Sequence, residues 1–249
     1  MTLQPGIVKC MMFDLDGTLI DSIPPYFRLL EAIFDAIGLP QPAVALKKEF
    51  IGIGPSVFTK MIPPERKHET DALVRSCMRV GRQLSQNMFR DAVSVFPGVG
   101  ELFDLLWFHG IPIAIVSTTE RQFIERKLQP LAKMNLVEKV AAIVAIEDAP
   151  RRKPAPDPLL VGARRLSMDP AACVYVGDSC VDIRAGKAAG MQTIAVLSGV
   201  DDRDALAQEK PTEMSDGVLD IWQRLSAFFS PSTPMPKEST THEQKKKNV

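Results

Sequence analysis

Ile7-Val8-Lys9-Cys10-Met11-Met12-Phe13-Asp14-Leu15-Asp16-Gly17-Thr18-Leu19 is a short apolar run closed by two acids, a glycine and a hydroxyl. The run reads as a buried strand near the N-terminus. Carboxylates are costly so close to a buried strand. Asp14 and Asp16 stand at i and i+2, on one face while the chain stays extended. They repel each other unless a cation lies between them or one is protonated. Gly17 permits a sharp exit from the strand, and Thr18 brings a hydroxyl to the turn. One Asp here would suit a strand end. Two acids leaving an apolar strand, with Gly-Thr behind them, point to a hard-metal site.

A parallel α/β sheet gathers its chemistry at the carboxyl ends of its strands. Three later strand-like runs also end in polar residues. Ile111–Val116 leads into Ser117-Thr118-Thr119. Val140–Ile146 leads into Glu147-Asp148-Ala149-Pro150-Arg151-Arg152-Lys153-Pro154. Cys173–Val176 leads into Gly177-Asp178-Ser179-Cys180-Val181-Asp182. Two acids, then hydroxyls, a lysine and two more acids form an inventory for Mg²⁺ and a phosphoryl group.

In this order the four segments resemble the motifs of the haloacid dehalogenase superfamily of phosphatases, over roughly residues 7–200. Asp-x-Asp-Gly-Thr, Lys-Pro-Ala-Pro-Asp-Pro at 153–158 and Gly-Asp-Ser-x-x-Asp at 177–182 carry the resemblance. Within the superfamily the chain looks most like the phosphoglycolate phosphatase branch. That branch has pyrophosphatases, phosphonatases and sugar-phosphate mutases as relatives, so it leaves the substrate open. The resemblance implies an α/β fold, a Rossmann-like parallel sheet core with an inserted α-helical cap closing over the site.

On this reading Asp14 is the nucleophile, forming an aspartyl-phosphate. Asp16 is the general acid for the leaving alkoxide and then the base that activates water. The resemblance adds that the Asp16 backbone carbonyl ligates the metal. Asp178 is the further metal ligand. Asp182, one helical turn later, serves the outer metal shell or orients Lys153. Mg²⁺ and Lys153 offset repulsion between Asp14 and phosphate. Ser117 and the backbone N–H of Thr118 hold phosphate oxygens, and Thr18 supports this network from its turn. The segment Phe50-Ile51-Gly52-Ile53-Gly54-Pro55-Ser56 should form a bend close to substrate, placing Gly52 among the binding residues. Lys47, Lys48, Lys60, Arg66, Arg75 and Arg79 are further cations of the same region.

The 249 residues suit one large domain or a domain with an insertion, and an apolar share of 45% supports a substantial core. The net charge of +0 points to neither nucleic acid nor an anionic membrane. No stretch approaches the ~18–20 apolar residues of a membrane span, and no signal peptide is expected at the N-terminus. Cys10, Cys77, Cys173 and Cys180 show no Cys-x-x-Cys spacing, which fits a reduced cytoplasmic setting. Three scattered histidines argue against zinc. The expected partner is a small phosphorylated metabolite, with the chain a monomer or homodimer.

Residues 22–90 read as helical. Tyr26, Phe27, Leu29, Leu30, Ile33, Phe34 and Ile37 trace an apolar stripe, after Pro24-Pro25 at the helix start. Further helices are expected near 42–50, 55–61 and 65–88, the last with Leu73, Val74, Cys77, Met78, Val80 and Leu84 inward. The catalytic core comprises 1–21 and 91–229. In it helices are expected near 98–109, 119–133, 156–167, 180–189 and 217–229, and a fifth strand at 192–197. Residues 230–249 hold one large apolar residue, Met235, and read as a disordered tail. The rival readings are a phosphoglucomutase-like transferase using the same aspartyl-phosphate, and a non-catalytic binding protein that kept the fold.

Overall fold

The computed structural model describes residues 8–88 and 92–229. Its centre is a six-stranded sheet whose ladders all run parallel. The strands are β1 (Cys10–Phe13), β4 (Ile113–Val116), β5 (Val140–Val144), β6 (Cys173–Gly177), β7 (Gln192–Val196) and β8 (Glu213–Ser215). They lie in the order β5-β4-β1-β6-β7-β8.

The apolar run around Asp14 makes the central strand because both of its faces are covered. Parallel sheets flanked by helices bury both faces, so their strands read as continuous apolar runs. Cys10, Met11, Met12 and Phe13 are all fully buried. Their alternation serves two cores. Met11 and Phe13 pack with α5 (Val99–Phe108), α6 (Arg121–Lys133) and α10 (Val218–Phe229). Cys10 and Met12 pack with α7 (Asp157–Arg165) and α8 (Cys180–Ala188). Strand β1 pairs with β4 on one side and β6 on the other. The strand order therefore reverses beside β1, which opens a crevice at the carboxyl end of that strand.

Between β1 and β4 lies a helical segment. Its entry and exit strands pair as a short antiparallel ribbon, β2 (Ile20–Asp21) with β3 (Ser94–Val95). Within it are α1 (Ile23–Ala36), α2 (Val44–Ile53), α3 (Phe58–Met61) and α4 (Thr70–Met88). Pro24 and Pro25 occupy the first turn of α1, where a missing N–H costs no intrahelical bond. This segment has a core of its own, with Leu30, Ile33, Phe34, Phe58, Ile62 and Cys77 among its members.

Three expectations need correction. Gly52 lies inside α2, not in a bend; the backbone turns at Gly54, whose φ is 70°, and continues through a 3-10 turn over Gly54–Val57. Met78, expected inward on α4, is 39% exposed. Strand β8 and helix α9 (Arg203–Gln208) add elements beyond those expected. The tail over 230–249, the join of cap and core at 90–91 and the first residue of the opening run lie outside the described residues.

Candidate active site

At the end of β1 the Asp14 amide donates to the Val176 carbonyl at 2.9 Å, which ties it to the end of β6. Gly17 follows with φ 82°, and a Cβ there would lie 2.5 Å from Asp178 Oδ2. Glycine thus serves both the turn and the close approach of the two strand ends. The Ser198 hydroxyl, after β7, donates to the Gly17 carbonyl at 2.7 Å. Thr18 is fully buried, and its hydroxyl donates to Asp178 Oδ1 at 2.9 Å. It therefore positions Asp178.

Beyond β6, α8 begins with a capping box. Ser179 Oγ accepts from the Asp182 amide, and Asp182 Oδ2 accepts from the Ser179 amide at 3.2 Å and from its hydroxyl. The other carboxylate oxygen, Oδ1, accepts from Lys153 Nζ at 2.7 Å and from the Tyr175 hydroxyl at 3.0 Å. Lys153 Nζ also donates to Asp14 Oδ1 at 2.6 Å and to the Tyr175 hydroxyl at 2.9 Å. Asp178 is held by Thr18 on one oxygen and by the Val200 amide on the other, at 2.8 Å.

Carboxylate oxygens of Asp14, Asp178 and Asp182 lie within 4.8 Å of one another, all buried. The lysine among them, Lys153, is buried too. Three ionised carboxylates against one ammonium leave the cluster short of positive charge. Burial pushes the Asp14 pKa up to about 7, with Lys153 working against the rise and Asp182 adding to it. Burial, then Asp182 and Asp14, raise Asp178 well above the usual carboxylate range. Burial opposes the charge on Lys153, but Asp14 and Asp182 outweigh it and hold the ammonium well above the ordinary lysine value. An oxygen-only donor set with excess negative charge fits a hard dication such as Mg²⁺. Asp182 accepts two hydrogen bonds on each oxygen, one of them from the Lys153 ammonium, whereas Asp178 accepts one neutral donor per oxygen, so Asp14 and Asp178 are the better direct ligands.

The end of β4 supplies the hydroxyls. Ser117 donates its amide to the Val144 carbonyl at 2.9 Å. Its hydroxyl accepts from the Thr119 amide at 3.1 Å and donates to Thr119 Oγ1 at 2.9 Å. Ser117 and Thr119 are buried, while Thr118 between them is partly open.

The Asp16 side chain stands apart from this cluster. Its Oδ1 accepts from the Ser22 hydroxyl at 2.7 Å, and its Oδ2 accepts from Lys127 Nζ at 2.6 Å. Lys127 comes from α6 and also lies 4.9 Å from the centre of the Tyr26 ring on α1. Among the expected cap cations, Lys47 pairs with Glu31, Lys60 with Glu49 and Arg66 with Glu69.

Tyr175, Thr119, Ser22 and Lys127 are site residues that the sequence pattern left unmarked. Tyr175 sits inside an apolar strand and reads there as core. Lys127 reads as one more solvated charge on an amphipathic helix. The repeated hydroxyls in Ser117-Thr118-Thr119 were the one available signal for Thr119.

The family model for haloacid dehalogenase-like hydrolases matches residues 11–196. A Chromobacterium violaceum protein named phosphoglycolate phosphatase is 33% identical over 205 residues, covering 81% of this chain and 90% of its own. A phosphoglycolate phosphatase of Neisseria meningitidis is 31% identical over 210 residues, covering 82% and 87%. The crystal structure of a predicted phosphoglycolate phosphatase from Haemophilus somnus 129pt superposes with a TM-score of 0.75 at 22% identity. That superposition covers 88% of this chain and 98% of the other, and it speaks to the fold alone.

Proposed function

The chain belongs to the haloacid dehalogenase-like hydrolases, and from that membership we propose that it is a Mg²⁺-dependent phosphatase acting through Asp14 on a small phosphate monoester. The leading candidate substrate is 2-phosphoglycolate, after the names of its relatives. The observation that carries the reading is the buried Lys153, shared between Asp14 at 2.6 Å and Asp182 at 2.7 Å where the strand order reverses.

Phosphate monoesters resist hydrolysis because water must approach a group that is already anionic. In the proposed reaction an Asp14 oxygen attacks phosphorus. The bond to the ester oxygen breaks, and Asp16 gives that oxygen its proton. A water then attacks the same phosphorus, its proton goes to Asp16, and the bond to Asp14 breaks. Both carboxylates end as they began. Lys153 and the amides beyond β4 stabilise the charge on the phosphoryl oxygens. Asp14, Asp178 and the Asp16 carbonyl would hold Mg²⁺, with Asp182 orienting Lys153, and the ion would supply positive charge against those same oxygens. We place the helical segment between β2 and β3 as a cap over this site.

Among the described residues no helix is long and apolar enough to cross a membrane. The four free thiols support a cytoplasmic setting. The test is phosphate release by the wild type and by Asp14→Asn from a panel of phosphorylated metabolites with Mg²⁺. The wild type should release phosphate and the variant should not. Conversion of a hexose phosphate to its isomer without phosphate release would favour the mutase reading instead.

A further inference from the structure

Both carboxylate oxygens of Asp16 are occupied, one by Ser22 and one by Lys127. A general acid must come within hydrogen-bond reach of the ester oxygen it protonates. Asp16 therefore has to give up a partner before it can serve the leaving group. Lys127 is the partner with an alternative, because an ammonium will accept any anion of suitable reach.

The position of Lys127 decides which anion that is. It projects from α6, beyond the hydroxyl loop that follows β4, and keeps 23% of its side chain exposed. The Tyr26 ring lies beside it at 4.9 Å, and Phe50 meets Tyr26 edge-on at 6.4 Å between centroids. Burial opposes the Lys127 charge, but Asp16 and then Tyr26 outweigh it, so the side chain stays an ammonium. The result is a partly exposed ammonium beside an aromatic ring, hydrogen-bonded to Asp16.

We propose that Lys127 is a specificity-determining residue that selects phosphate monoesters whose leaving group carries a second anion, such as a carboxylate two bonds beyond the ester oxygen. In the free protein Lys127 holds Asp16. On binding, the substrate's own anion takes the place of Asp16 at Lys127, and Asp16 turns to the ester oxygen. Recognition and release of the acid are then one event. A neutral leaving group has nothing to exchange, so Asp16 must break its tie to Lys127 unaided. This inference rests on Asp16 being the acid of a phosphatase.

The experiment compares 2-phosphoglycolate with ethyl phosphate, a neutral ester of similar size, in the wild type, Lys127→Met and Lys127→Arg with Mg²⁺. It also measures, by calorimetry, the Kd of two inert phosphonates, 3-phosphonopropionate and propylphosphonate. The wild type should prefer the carboxylated member of each pair. Lys127→Met should lose about ten- to a hundredfold more in kcat/KM for 2-phosphoglycolate than for ethyl phosphate, as expected for one charged hydrogen bond. Most of that difference should lie in KM, the Kd preference should vanish, and Lys127→Arg should restore part of both. Equal losses on both esters, or an unchanged Kd ratio in Lys127→Met or in Lys127→Gln, would overturn the proposal. A wild type that cleaves neither ester would sink the phosphatase reading, while the phosphonate Kd ratio still decides whether Lys127 reads the second anion.

Discussion

Gly199 and Asp178 stand so close that a Cβ on Gly199 would lie 1.9 Å from Asp178 Oδ2. The next residue, Val200, donates its amide to that same oxygen at 2.8 Å. The loop after β7 thus presses its backbone against a carboxylate of the site. Gly199→Ala should force Asp178 aside, with an overpacking cost of about 1–3 kcal/mol. Thermal unfolding and the Mg²⁺ concentration for half-maximal phosphate release should both worsen. A variant with the wild-type Mg²⁺ requirement would show that Asp178 does not depend on this contact.

Tyr175→Phe should destabilise the protein by about 1–3 kcal/mol, because two buried charged groups each lose a hydrogen-bond partner. The lost hydroxyl accepts from Lys153 and donates to Asp182. Urea unfolding measures the loss. A change within about 0.5 kcal/mol, the range of a neutral surface substitution, would mean that Asp14 and Asp182 satisfy Lys153 without it.

The parts of this molecule differ in how plainly the sequence announces them. Strand β1 is legible because both faces are buried, so its apolar run is unbroken until Asp14. The helical segment is legible because α1 needs an apolar stripe for its own core. Strand β8, with three residues at a sheet edge, has too little length for any periodicity to register. Gly52 and Gly54 look alike as turn residues, yet the backbone turns only at the second. The acids at strand ends stand out against apolar neighbours. Lys127 does not, because its contact with Asp16 spans 111 positions and nothing local distinguishes it from the other charges of α6. Tyr175 is hidden for the opposite reason, as one polar atom within a buried strand.

Mg²⁺ should stabilise the protein more at high pH than at low pH. Burial raises Asp14 from its ordinary 3.8 to about 7 and raises Asp178 in the same direction. An acid whose pKa is higher in the fold takes up protons on folding. Its contribution is full below 3.8 and is lost as pH rises through about 7. The metal-free protein therefore weakens across that window, while the ion replaces the missing protons. The Mg²⁺-induced rise in Tm should grow from pH 5.5 to pH 8, as thermal scans would record. A rise that is constant or shrinks would contradict the raised carboxylates.

Asp16→Asn should slow hydrolysis of alkyl phosphates by roughly 10²–10⁴-fold, the usual worth of a positioned acid and base. The loss should be smaller for aryl phosphates, whose leaving groups need less protonation. Phosphate release from a matched alkyl and aryl pair measures this. Equal losses would count against proton transfer by Asp16.

The central claim is that Asp14 carries the phosphoryl group. Rapid acid quench of the protein with a ³²P-labelled ester and Mg²⁺, followed by peptide mapping, tests it most directly. The label should be found on Asp14, be released by hydroxylamine as an acyl phosphate, and be absent from Asp14→Asn. Label on another residue, or phosphate release undiminished in Asp14→Asn, would contradict the account.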